Sequence, residues 1–149
     1  ERELALAAVR EDFRALDSVA ESFKADHEIV LTAVKCNGEA LQWAAESCKA
    51  DREIVLSAVK RTGWALQWAA EHLRSDREIV LAAVKSNGFA LQLAAEGCKC
   101  DREMVNVAVE QNSSETWVVL TIAGDLLLDD SSFAIEARQR CLILRVSLL

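Results

Sequence analysis

Five cysteines, two histidines and a set of evenly spaced aspartates are the side chains through which this 149-residue chain could bind a metal, attack a substrate or move a proton. Their spacing argues against all three. Cys98-Lys-Cys100 lacks the two-residue gap and the second ligand pair of a zinc site, and Cys36, Cys48 and Cys141 add no Cys-x-x-Cys for thiol exchange. His27 and His72 do not form a sequence pair, and there is no glycine-rich phosphate loop and no Ser or Cys beside a base. The expectation is a chain with no catalytic residue, no metal and no cofactor, hence no enzyme. An odd number of thiols suits an intracellular reducing compartment, cytoplasm or organelle interior; nothing else in the sequence names the compartment.

Aromatic side chains are better candidates for a binding surface. Trp64 and Trp68 stand four apart, and Trp43 and Phe89 take one or other of the same two places in the flanking stretches. These four are the candidate partner-binding residues. The column Trp43, Trp68, Leu93 also reads as an ordinary contact between repeats. The column Arg14, Glu39, Trp64, Phe89 mixes charged and aromatic types, which points to exposure and makes Trp64 and Phe89 the sharper pair. Gln42, Gln67 and Gln92 form a polar column that either bonds along the array or faces water. Arg52, Arg77 and Arg102, each followed by Glu, suit exposed ion pairs worth little individually.

What must position these residues is a repeat. Asp26, Asp51, Asp76 and Asp101 fall 25 residues apart, with Glu1 continuing the series backwards, and each carries the same phrase. A unit this short, recurring without insertion, signals an array whose members bury their apolar sides on one another. The predicted fold is all-α: a right-handed superhelical solenoid of two-helix repeats. Asp26 and its equivalents are start signals, with Glu28 at the positive end of the helix dipole. Ile29, Val30, Ala33 and Val34 make one apolar stripe, and Lys35 sits in the last turn. Asn37-Gly38 is expected to end this helix, the glycine taking a left-handed conformation, as at Gly63 and Gly88. A second helix of about ten residues would carry Ala40, Leu41, Ala44, Ala45 and Cys48, the last a small buried hydrophobe in the column of Phe23, Leu73 and Cys98.

Units of the array are predicted at 1-25, 26-50, 51-75, 76-100 and 101-112. Residues 1-25 keep the phase but carry Phe13 for glycine and Asp17 for glutamine, which resembles a capping repeat. Residues 113-141 read as a divergent helical end region. Residues 142-149 are apolar and β-branched, a short β-strand that would start a further domain. A first residue other than Met suggests a segment of a longer protein. The net charge of -7, with cations dispersed among carboxylates, argues against nucleic acid, and no apolar run reaches the 18 or so residues of a membrane span. The partner expected is a protein or a large protein assembly. Two roles fit: a non-catalytic protein-protein interaction scaffold, or a structural accessory subunit held permanently in a multiprotein complex, an organellar membrane-bound one among the settings.

The phrase D-R-E-I-V-L-x-A-V-K-x-N-G-x-A-L-Q-x-A-A-E, at residues 26-46, 51-71 and 76-96, resembles the short helical repeats of domain of unknown function 4116. The resemblance covers about residues 1-112. It implies tandem arrays, sometimes beside ubiquitin-like modules, and Ile143-Leu149 is similar to the first strand of such a module. It implies no activity and no site residue.

Overall fold

The computed structural model describes residues 1-99 and 101-111. The divergent region 113-141 and the strand expected within 142-149 lie outside the described residues, as does Asn112. Every regular element among the described residues is helical. Ten-residue α-helices run over Arg2–Glu11, His27–Cys36, Arg52–Arg61, Arg77–Ser86 and Arg102–Gln111.

The aspartates start these helices as their chemistry requires. Asp26 Oδ1 accepts from the backbone N–H of Glu28 at 3.0 Å and of Ile29 at 3.2 Å, satisfying two donors that a first turn leaves without partners. Asp51, Asp76 and Asp101 repeat the cap. Glu1 makes no side-chain cap. Ile29, Val30, Ala33 and Val34, with their equivalents in the next two units, are removed from water completely. Each long helix packs on the next equivalent helix in the series from Arg2–Glu11 to Arg102–Gln111. Ten residues are too few for a stable helix alone, so this burial between units is what holds each one.

The rest of the unit departs from the expected second helix. Gly38–Trp43 is a 3-10 helix, Ala44 and Ala45 are extended, and Glu46–Lys49 forms a separate α-turn. Gly63–Trp68 and Gly88–Leu93 repeat the 3-10 segment. The break has a tertiary cause. The N–H of Ala45 donates to the carbonyl of Lys24 in the preceding unit at 2.9 Å, Ala70 to Lys49 at 2.9 Å, and Ala95 to Arg74 at 3.0 Å. An α-helix through these alanines would have spent those donors internally, so the bond between units overrides alanine's helical preference.

The glycines also act differently from the expectation. No described residue has positive φ. Asn37 has extended backbone and opens the 3-10 helix instead, its Oδ1 accepting from Glu39 N–H at 2.9 Å. What requires Gly38 is proximity: a Cβ there would lie 2.3 Å from the carbonyl oxygen of Ala58 in the next unit. At Gly63 the same atom would meet the Ala83 carbonyl oxygen at 2.5 Å. Glycine here lets backbone touch backbone.

Leu4, in the column of the fully buried Ile29, is 74% exposed. It has no preceding unit to cover it among the described residues.

Candidate functional site

A 3-10 helix has three residues per turn, so residues three apart lie one above the other and the segment has three sides. In Gly63–Trp68 one side holds Gly63 and Leu66, both buried. A second holds buried Ala65 and half-buried Trp68, which packs on the core. The third holds Trp64, half-buried, and Gln67, exposed. Gly88–Leu93 divides the same way, with Phe89 half-buried and Gln92 exposed on the third side. In Gly38–Trp43 the third side carries exposed Glu39 and half-buried Gln42. These segments adjoin from unit to unit.

This geometry re-sorts the candidate residues. Trp64 and Trp68, four apart, would share a face of an α-helix; on three-fold geometry they point to different sides. Trp43, Trp68 and Leu93 pack partly buried against the core. Trp64 and Phe89 are half-buried, not exposed, and Phe89 also leans on the core. A wide ring on a segment one turn from the core covers its inner edge there, whereas Glu39 and Arg14 in the same column extend into water. The glutamines make no side-chain hydrogen bond among the described residues, so they do not tie the units together.

Phe13 was not among the expected site residues. Its ring centroid lies 6.0 Å from that of Trp43, tilted by 43°, and the Arg14 guanidinium sits 5.8 Å above it. The signal was its place in the glycine column, where an aromatic ring cannot enter the close backbone contact that Gly38 and Gly63 make.

On the helix-start edge the arginines join successive units. Arg2 donates to Asp26 at 2.8 Å and to Glu28 at 2.7 Å. Arg52 reaches Asp76 and Glu78, and Arg77 reaches Asp101 and Glu103. The Arg2 guanidinium, with the backbone N–H groups of the cap, holds the Asp26 carboxyl below the usual carboxylate range. At Asp76 partial burial pushes the carboxyl up, but the N–H of Ile79 and Arg52 outweigh it and the net shift is downward. His27 replaces arginine at the second joint, 3.7 Å from Asp51 and 3.9 Å from Glu53.

Cys48 and Cys98 are buried, and burial pushes both thiols up, away from the reactive thiolate. Cys36 is exposed and free. No group of three or more His, Cys, Asp or Glu placed to hold a metal occurs among the described residues. No helix among them is long and apolar enough to cross a membrane.

Among the described residues, fold and repeats together are those of an all-helical repeat protein. The chain belongs to the family described as Domain of unknown function (DUF4116), whose model matches residues 1–49, 51–97 and 76–117. No curated protein and no solved structure matches it.

Proposed function

We propose that the chain is a non-catalytic protein-interaction scaffold, its units stacked as a superhelical solenoid with a 25-residue period. The observation that carries this reading is the third side of the 3-10 helices. Trp64 and Phe89 stand half-covered on it in adjoining units, each beside an unbonded glutamine. Rings that keep part of their surface in water are what a partner can desolvate, and repeat arrays present such faces in register.

Affinity purification tests it, with the intact protein and a Trp64→Ala/Phe89→Ala variant run in parallel. Loss of one specific partner from the variant is the expected result, with circular dichroism showing that the variant keeps its helices. An unchanged set of partners would remove the aromatic face from the proposal.

A second reading, a permanent accessory subunit of a large assembly, draws on Leu4, an apolar side chain left 74% exposed on the outer face of the first unit. A permanent interface there should bury more than about 2,000 Å² of mostly apolar surface. Such a complex should survive salt on native size-exclusion chromatography, and a transient partner should not.

A further inference from the structure

We infer that the outward sides of the 3-10 helices Gly38–Trp43, Gly63–Trp68 and Gly88–Leu93 form one ledge that binds an extended, basic-apolar peptide by its main chain. The inference rests on the scaffold reading and specifies its ligand. Three observations carry it.

The first is the pairing of side chains. Because residues three apart are superposed, each unit offers one residue from the Glu39, Trp64, Phe89 column directly beside one from the Gln42, Gln67, Gln92 column. The second is the unused hydrogen-bonding capacity of the glutamines. Gln67 and Gln92 are exposed and make no side-chain bond among the described residues. A primary amide both donates and accepts, so each can take the C=O and the N–H of a peptide main chain without regard to its side chains. The third is charge. Glu39 is exposed, pairs with no cation among the described residues, and ends the aromatic row on a chain of net charge -7.

Spacing fixes the form of the ligand. Packed helices lie about 8–10 Å apart, and a chain in the extended polyproline II conformation advances about 3.1 Å per residue and returns every third side chain to the same side, so one unit corresponds to about three ligand residues. A segment of about seven residues then spans Glu39 to Phe89, with a basic side chain at one end and apolar ones at each third position after it. The rings of Trp64 and Phe89 cover the apolar side chains while the glutamines hold the main chain between them.

The experiment uses the full chain and a fluorescent peptide with Lys, Leu and Leu at every third position and neutral polar residues between, read by anisotropy. Saturable binding is expected. Gln67→Ala/Gln92→Ala should weaken it about tenfold, the worth of two neutral hydrogen bonds at about 0.7 kcal/mol each. Methylating the peptide's main-chain nitrogens should weaken it likewise, and Glu39→Lys should favour a peptide with Glu in place of Lys. Both glutamines are exposed, so this variant should fold as the parent does. The inference is overturned if no peptide of this pattern saturates, or if the glutamine variant and the methylated peptide bind as tightly as their parents. A partner that depends on Trp64 and Phe89 in affinity purification but is kept by the glutamine variant would leave the scaffold reading standing and remove the peptide ledge.

Discussion

Arg52 and Asp76 belong to different units, yet Arg52 Nε lies 3.2 Å from Asp76 Oδ2 while the other oxygen of the same carboxylate caps the helix Arg77–Ser86. One side chain therefore starts a helix and latches that helix to the unit before it. The arrangement recurs at Arg2 with Asp26 and at Arg77 with Asp101. Local structure and stacking are thus coupled through a single residue.

Replacing Asp76 by Ala removes both functions and should cost about 1 kcal/mol for the cap, or somewhat more. Asp76→Asn keeps a good cap and loses only the charge, so it should cost less, because the arginine is half-exposed and its ion pair is screened by water. Urea titrations of the two variants measure the difference. Equal costs would mean that the latch, not the cap, is what matters.

The same carboxylates set an acid limit. Asp26 and Asp76 are held below their ordinary values when folded, so the folded state binds their protons less readily than the unfolded one. Their contribution is complete above the unfolded carboxylate range of about 4 and is lost as pH falls from there through the lower folded values. Melting temperature should accordingly hold from neutrality to about pH 5 and drop below about pH 4. Asp26→Asn should flatten part of that drop, and an unchanged profile would mean that other groups govern it.

Two glycines that look alike in sequence should respond oppositely to alanine. Gly63→Ala would push a Cβ to within 2.5 Å of the Ala83 carbonyl oxygen in the next unit. Backbone cannot move aside as a side chain can, so the cost should be about 1–3 kcal/mol, as for overpacking elsewhere. Gly97, inside the helical turn Glu96–Lys99, has nothing within 4 Å of the added carbon. Gly97→Ala should stabilise by about 0.5–1 kcal/mol through helix preference alone. Thermal melts of the two variants should move in opposite directions.

These contrasts mark what was legible in the sequence. The aspartate caps and the buried stripe of Ile54, Val55, Ala58 and Val59 rest on local chemistry and helical spacing, and each can be read from one unit. The split of the second segment cannot. Ala44 and Ala45 are good helix formers, and only the carbonyl of Lys24, 21 residues earlier, draws the Ala45 N–H out of the helix. The same is true of Gly38, whose neighbour is the Ala58 carbonyl and not its own turn. The candidate aromatic residues were chosen by type, and the grouping their spacing suggests does not hold. A four-residue spacing joins Trp64 to Trp68 only if the helix has 3.6 residues per turn, and at three it joins Trp64 to Gln67.

Position in the array, more than residue type, should govern the cost of losing an aliphatic side chain. Leu4 and Ile54 share a column, but Ile54 is fully buried between the long helices of adjoining units and Leu4 is 74% exposed. Ile54→Ala leaves a cavity that rigid neighbouring helices cannot close and should cost about 2–5 kcal/mol. Leu4→Ala gives up little buried area and should change stability by no more than about 0.5 kcal/mol. Chemical denaturation of both variants supplies the comparison, read at constant slope so that a change in the unfolded state is not mistaken for one in packing. If Leu4→Ala proved as damaging as Ile54→Ala, the outer face of the first unit would have to be covered in solution, by a second copy of the chain or by a segment outside the described residues. Dilution separates these: a second copy makes the loss depend on protein concentration, and a segment of the same chain does not.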